Sequence, residues 1–150
     1  MNDFEINLNN ILVDTFNYIL KFEESSLQKV LDIPVTITEA HMIEAIGRAK
    51  NGETTASELA TILDVSVPTA AIAVKKLERK GFVQKTPCEK DARRIIINLT
   101  DIGKKVEKAH RLFHGKMAKN IGRQFAESEK EILLRVMKAL NTFFKTKVEV

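Results

Sequence analysis

Apolar residues in the first thirty positions recur at intervals of three and four, which predicts an amphipathic helix over residues 4–31. The apolar positions of that stripe are Phe4, Leu8, Ile11, Leu12, Ile19, Leu20, Phe22, Leu27 and Leu31. Pro34 restricts the residue before it to extended backbone, so it is expected to end this helix. A second helix is predicted from an N-cap at Thr38 to about Ala49, where Asn51–Gly52 ends it.

A helix-turn-helix pattern follows the second helix. Thr55, or Thr54 beside it, is expected to cap its first helix, because a hydroxyl can accept from the free N–H groups there. The inward face of this helix is predicted to carry Leu59, Ala60, Ile62 and Leu63. Residues 64–66 then form the turn between the two helices of the motif.

The second helix of the motif is predicted over residues 66–80. Ser66 is its N-cap, and Pro68 falls in its first turn, where a missing N–H costs nothing. Its inward residues are predicted to be Ala70, Ala71, Val74 and Leu77. Gly81 supplies the left-handed residue that ends the helix.

A short β-hairpin is predicted directly after this motif. Runs of β-branched residues place its strands over residues 82–86 and 94–99, with residues 87–93 as the tip. A basic hairpin beside a helix-turn-helix is typical of a winged helix. The sequence therefore predicts a mainly α fold, a winged helix-turn-helix with a two-stranded wing.

Two long helices are predicted after the wing. Thr100 or Asp101 caps the first, which runs to about Gly122, and Ser128 caps the last through a capping box with Glu131. With the N-terminal helix they carry apolar stripes wider than a monomer of this size needs, so a homodimer is expected. The predicted organisation is one domain over 1–150, with an all-helical dimerisation region over 1–35 and 101–150 and a DNA-binding region over 36–100.

Composition fits a single soluble globular domain of 150 residues, 44% hydrophobic and 29% charged. No apolar run approaches membrane-spanning length, and no secretory signal is recognisable. The single cysteine, Cys88, cannot form an internal disulfide. The expected location is therefore the cytoplasm.

The charge is polarised along the chain, although its net value is only +4. Residues 1–44 hold eight acidic and two basic side chains, whereas residues 75–94 hold three acidic and eight basic ones. A basic concentration around a helix-turn-helix predicts contact with the phosphates of DNA.

The predicted DNA contacts lie on both helices of the motif and on the wing. The second helix begins without Arg, Asn or Gln, so thymine methyl groups and DNA shape are expected to carry much of the specificity. Arg93 is expected to enter the minor groove, with Asp91 orienting it or bracing the hairpin. The full predicted set is Thr55, Ser57, Ser66, Val67, Pro68, Thr69, Ile72, Lys75, Lys76, Lys90, Asp91, Arg93 and Arg94.

The wing resembles the signature of the MarR family of bacterial transcription regulators, through Asp91, Arg93, Leu99, Thr100 and Gly103 at their present spacing. Segments 58–60 and 77–83 are also similar to that family, and the resemblance covers about residues 5–146. It implies a homodimeric winged-helix repressor or activator with a ligand-sensing cleft between its dimerisation and DNA-reading parts.

A narrower resemblance, in segments 16–24, 38–47 and 110–117, is to the FabT-like repressors of fatty-acid biosynthesis. It implies that acylated acyl carrier protein is a co-repressor, with the acyl chain in an apolar tunnel. The residues available to line such a tunnel are Phe16, Ile19, Leu20, Met42, Ile46, Leu112, Phe113 and Met117. The acidic carrier would meet a basic helix face formed by Lys104, Lys105, Lys108, Arg111 and Lys116.

Other interpretations stay open beside this one. A MarR-type repressor could be released from DNA by another small apolar or phenolic ligand. His110 and His114 lie four apart on a helix and could face one metal ion, but zinc needs two further ligands, so no metal site is predicted. A thiol sensor at Cys88 and an architectural DNA protein are weaker alternatives. No nucleophile–base pair or glycine-rich phosphate loop is visible, so neither an enzyme nor a cofactor is expected.

Overall fold

The structure of the protein is a computed structural model that describes residues 1–89 and 91–148. These residues form six α-helices and a three-stranded antiparallel sheet, which confirms the predicted winged helix-turn-helix. In chain order the elements are α1 Asp3–Val30, α2 Ile37–Gly47, a 3₁₀ turn Lys50–Gly52, β1 Glu53–Thr54, α3 Ala56–Leu63, α4 Val67–Arg79, β2 Val83–Cys88, β3 Asp91–Leu99, α5 Asp101–Gly122 and α6 Glu127–Val148. No single described helix is long and apolar enough to cross a membrane, and that test is met only by α3 and α4 as a pair bent by 109°. Two units, Met1–Phe113 and His114–Val150, are described separately.

Helix α1 lies close to its predicted bounds and begins with a capping box between Asn2 and Glu5. Near its C-terminal end, Leu27 is buried in the core of the first unit. Much of the remaining apolar stripe is exposed, with Phe4 at 72% and Phe16 at 64%. The C-terminal part of α1 therefore packs into that core, whereas the rest of the helix exposes many apolar side chains.

Helix α2 begins two residues earlier than predicted, because its N-cap is Thr36 and not Thr38. The Thr36 hydroxyl accepts from the N–H of Glu39 at 3.2 Å, and the Glu39 carboxylate accepts from the N–H of Thr36 at 3.0 Å. Only Thr36 has a glutamate at the third helical position, so only Thr36 can form this reciprocal pair. The helix also ends earlier than predicted, at Gly47, because Ala49 adopts extended backbone.

Helices α3 and α4 are capped by Thr55 and Ser66, as predicted. Their buried residues are Leu59, Ala60, Ala70, Val74 and Leu77. Two inward assignments were wrong, since Ile62 is 56% exposed and Ala71 is also exposed. Both stand roughly 100° around their helix from the centre of the buried stripe, and neither therefore reaches the core.

The wing sheet has the order β1–β3–β2, with both pairs antiparallel. The third strand, β1, was not predicted because two residues are too short to give a pattern. The wing strands continue to Cys88 and resume at Asp91, so the tip is shorter than the predicted residues 87–93. Pro87 fits within β2 because that strand lies at the sheet edge, where no partner needs its N–H.

The wing joins α5 through a close contact at Gly103. Thr100 caps α5 as predicted: its hydroxyl accepts from the Gly103 N–H at 3.1 Å and donates to the Gly81 carbonyl. A Cβ added at Gly103 would lie 2.0 Å from the carbonyl oxygen of Phe82. Gly103 is therefore required for this packing, and Gly81 has the positive φ of 77° expected of a helix-ending glycine.

Helix α6 forms most of the second unit and begins at Glu127, so Ser128 lies inside its first turn and is not the predicted N-cap. The carboxylate of Glu129 accepts from the N–H of Ala126 at 2.7 Å, which makes Ala126 the N-cap. Glu129 stands at the third helical position from there, so it takes the role predicted for Glu131.

Candidate functional site

Helix α4 buries one face and exposes the face predicted to read DNA. The Ser66 hydroxyl accepts from the Thr69 N–H at 3.2 Å and lies 2.7 Å from the Thr69 hydroxyl. Val67 and Ile72 are 47% and 72% exposed although both are apolar. The predicted contacts that remain accessible on α4 are Ser66, Val67, Pro68, Thr69, Ile72, Lys75 and Lys76.

Helix α3 presents its N-terminus beside this motif. The half-buried Thr55 hydroxyl accepts from the Glu58 N–H at 3.2 Å, so it is engaged in capping the helix. Ser57 is exposed in the first turn. The helix N-terminus carries partial positive charge, and an exposed hydroxyl beside it suits a phosphate oxygen.

The wing presents Arg93 and uses its other polar groups for support. Arg93 is exposed on β3, and its backbone N–H donates to Oδ1 of Asp91 at 3.0 Å. Asp91 therefore braces the hairpin backbone. Arg94 pairs with Glu58 of α3 and so ties the wing to the helix-turn-helix. Lys90, also predicted to contact DNA, lies outside the described residues.

A buried carboxylate, Glu39, anchors α4 to α2 through two lysines. Lys80 Nζ lies 2.8 Å from one oxygen of Glu39, and Lys76 Nζ lies 3.3 Å from the other. Burial would raise the pKa of the Glu39 carboxyl, but its hydrogen bonds to Lys80, to the Thr36 backbone and to Lys76 hold the pKa below its ordinary value. Lys76 is therefore both a predicted DNA contact and a tie between the two helices.

A second group of polar side chains, buried except for the half-exposed His41 and termed the Glu23 cluster, joins α1, α2 and α5. It consists of Glu23, His41, Glu44 and His110, with Arg48 paired to Glu44 at its edge. His110 is fully buried and contacts Glu23 through Nε2 and Glu44 through Nδ1. His41 Nε2 lies 3.0 Å from Oε1 of Glu23. Two carboxylates around one buried imidazole form a site that a metal cation would suit.

The donor set of the Glu23 cluster suits a metal. Glu23, His41 and His110 each offer one ligand atom, and these atoms lie within 4.8 Å of one another. Histidine nitrogen and carboxylate oxygen are ligands that zinc accepts. His114, the other candidate from the sequence, follows His110 by four residues on α5 but belongs to the second unit.

Sequence reasoning singled out His110 but did not identify the role of Glu39 on α2. Glu39 and Glu44 are both buried on a helix whose remaining buried residues are apolar. An acidic residue on the apolar face of a predicted helix signals a specific buried partner, since carboxylates are almost never fully buried unpaired. The two acidic residues on the apolar face of α2 therefore point to the contact of Glu39 with its lysines and to the contact of Glu44 within the Glu23 cluster.

The residues predicted to line an acyl tunnel are divided between core and surface. Met42 and Ile46 are 8% and 0% exposed and fill the core of the first unit. Phe16 and Leu112 are 64% and 47% exposed. Ile19 is also exposed, and Leu20 is half-buried. Phe113 is buried, with its ring centroid 5.0 Å from that of Phe22. Met117 is half-buried and belongs to the second unit. Packing within one chain thus leaves the α1 members of the set on an open surface.

The cations predicted to receive a carrier protein lie along α5. Lys105 and Lys108 are exposed, Lys104 lies 3.7 Å from Asp101, and Arg111 pairs with Glu107 at 3.0 Å. Lys116 is exposed in the second unit. All four of these cations in the first unit are accessible, and Lys104 and Arg111 each lie beside an acidic partner.

Two cavities in the first unit flank α2. One of about 320 Å³ is lined by His41, Glu44, Ala45, Arg48, Ala49 and Ile62. Another of about 330 Å³ is lined by Gly47, Asn51, Gly52, Gln84, Asn98, Leu99, Lys104 and Glu107. The first gives a small ligand or ion access to two members of the Glu23 cluster.

Residues 33–94 match the model of the MarR family. The transcriptional regulator AdcR of Streptococcus pneumoniae is 28% identical over 112 residues, which are 73% of this chain and 75% of AdcR. The HTH-type transcriptional regulator BilQ of Clostridium symbiosum is 45% identical over 58 residues, or 38% and 40% of the two chains. The crystal structure of Streptococcus pneumoniae FabT in complex with DNA is similar with a TM-score of 0.86 at 28% identity, covering 95% of this chain and 98% of that one.

Proposed function

Because the chain belongs to the MarR family of DNA-binding transcriptional regulators, we propose that it is a homodimeric repressor of fatty-acid biosynthesis genes whose co-repressor is long-chain acyl carrier protein. The observation that carries this proposal is the likeness to FabT bound to DNA, which extends over 95% of the chain. The resemblance of segments 16–24, 38–47 and 110–117 to FabT-like repressors supports the same assignment.

The exposed apolar surface of α1 supports the dimer and the acyl ligand together. Phe4, Ile11, Phe16 and Tyr18 are each more than 60% exposed in a single chain. Contiguous apolar surface of this kind is typical of an interaction site. A second copy of the chain would cover this surface. The apolar tunnel for the acyl chain, whose lining includes Phe16, would then be enclosed by residues of both chains.

The cationic face of α5 supports docking of an acidic carrier protein. Lys105 and Lys108 are exposed there, three residues apart and hence on one side of the helix. Charge complementarity of this kind mainly sets the association rate and the choice of partner. Salt should therefore weaken carrier binding more than it weakens packing of the acyl chain.

The proposal is tested by binding to the promoter of a fatty-acid synthesis operon from the same genome. Affinity is measured with and without long-chain acylated acyl carrier protein, and again with the carrier lacking its acyl group. We expect only the acylated carrier to strengthen binding. The Lys105→Glu, Lys108→Glu double variant should keep carrier-independent DNA binding and lose the response, whereas Lys138→Glu on α6 should keep both. Carrier-insensitive wild-type binding would contradict the co-repressor and leave a MarR-type repressor with another small ligand.

The Glu23 cluster favours a second candidate function, a metal-responsive regulator. The cluster offers three nitrogen and oxygen ligands, and two of them are on buried side chains. Zinc is usually four-coordinate, so these three ligands and one further ligand would complete a zinc site. Metal bound there would link α1, α2 and α5 through one ion. DNA affinity would then depend on metal concentration rather than on the carrier protein.

Zinc competition with a chromophoric chelator tests this second candidate. His41→Ala should weaken zinc binding about tenfold or more, and it is expected to fold because half of the His41 side chain is exposed. Glu24→Gln is the matched control, since Glu24 is exposed beside Glu23. A wild-type protein that does not compete for zinc at micromolar concentration excludes the metal-responsive function.

A further inference from the structure

The exposed face of α4 offers few hydrogen-bonding groups over its first two turns. Val67, Pro68, Ala71 and Ile72 are all exposed and all apolar. The hydroxyl of Thr69 is engaged with the Ser66 hydroxyl at 2.7 Å. Amide and guanidinium groups, which make the bidentate contacts that distinguish adenine and guanine, are therefore missing from the part of this helix that would sit deepest in a groove.

Cations frame this apolar face. Lys75 is exposed one turn further along α4, and Arg93 is exposed on the wing. An apolar centre with a positively charged border fits the major groove, where base edges lie between two rows of phosphates. A purely hydrophobic protein surface would match the centre and would leave these cations without a specific partner.

Thymine is the base that presents a methyl group in the major groove. We infer that Ile72, together with Val67, determines operator specificity by packing on thymine methyl groups. The two side chains are five residues apart, which is about 7.5 Å along the helix axis. At about 100° per residue they also point in directions about 140° apart, so they should contact different base positions, and each half-site should contain a methyl-dependent position for Ile72. The inference rests on the DNA-binding function and is independent of the fatty-acid role.

The test uses an operator selected from a random duplex library by the full-length protein. Each thymine is then replaced singly by deoxyuridine, which removes only the methyl group, and Kd is measured by fluorescence anisotropy at fixed salt. Burial of one methyl group corresponds to about a fourfold change in Kd. Symmetric replacement in both half-sites should therefore weaken wild-type binding by about fifteenfold at the contacted position.

The variant Ile72→Ala assigns the contact to its side chain. This variant should bind the thymine operator at least about fifteenfold more weakly and should bind the thymine and deoxyuridine operators equally at the position that Ile72 contacts. Ile102→Ala, another exposed isoleucine but on α5, should keep the full deoxyuridine penalty. Equal wild-type affinity for all deoxyuridine operators, or a penalty unchanged in Ile72→Ala, overturns the inference. Failure to select any preferred sequence contradicts specific DNA binding itself and overturns the inference with it.

Discussion

Replacing Glu39 by glutamine should loosen the DNA-reading helix by a predictable amount. The substitution keeps the shape of the side chain and an oxygen that can still accept from Thr36, but it removes the charge that faces Lys76 and Lys80. Hydrogen bonds to charged groups contribute about 1.5–3 kcal/mol when shielded. The two ammonium groups are 50% and 29% exposed, so solvent reduces that value. We expect a loss of about 1–2 kcal/mol in the free energy of unfolding at pH 7.

The pH dependence of this loss separates charge from shape. Because the folded-state pKa of Glu39 lies below its ordinary value of 4.5, its ionisation stabilises the folded state at every pH above that value. The contribution is lost as pH falls through the folded-state pKa. The difference between wild type and Glu39→Gln should therefore be constant from pH 7 to about pH 5 and shrink below 4.5.

Urea denaturation at fixed protein concentration measures both quantities. Glu5→Gln is the matched control, because Glu5 fills the same capping-box position in α1 but is exposed and has no lysine partner in the box. Its effect should stay within about 0.5 kcal/mol, as for most surface substitutions. A Glu39→Gln loss equal to that of the control, or one that persists undiminished at pH 3.5, would refute the charged anchor.

Three further predictions follow from close contacts and exposed groups. Gly103→Ala should destabilise the fold by about 1–3 kcal/mol in thermal unfolding, whereas Gly115→Ala, with open space around its Cβ, should be neutral or stabilising. Arg93→Ala should weaken operator binding by about 1–3 kcal/mol with no change in the unfolding midpoint, and an unaltered Kd would remove Arg93 from the interface. His110→Ala should cost about 3–5 kcal/mol because it leaves Glu23 buried without this partner, and a Glu23→Gln change in the same chain should recover part of that loss.

Much of the fold was predictable because capping and helical periodicity are local. Ser66, Pro68 and Gly81 mark the bounds of α4 by their own chemistry, and the structure begins and ends that helix where they indicate. The errors arose where two local signals competed. Thr36 and Thr38 are both good caps, and the choice depends on Glu39, whose second role as a partner of Lys80 is not visible in the sequence.

The candidate site was less predictable, because it depends on contacts between residues far apart in the chain. Glu23 and His110 are 87 positions apart and meet only when α1 packs beside α5. Arg94 was expected at a phosphate, but it pairs with Glu58 across 36 positions. Arg93 and Ile72 were expected to be exposed and are exposed, because an exposed position needs no partner elsewhere in the fold.

Helix α2 carries both the Glu39 anchor and a member of the Glu23 cluster, and this has a thermodynamic consequence. Glu39 and Glu44 are five residues apart, about 7.5 Å along one rigid helix. A displacement at one carboxylate is therefore passed to the other as motion of a single body. Any metal ion whose affinity for the cluster changes when DNA is bound must change DNA affinity by the same factor, because linkage is reciprocal. Binding of the operator would then change the affinity of the cluster for its ion by the same factor by which the ion changes operator affinity.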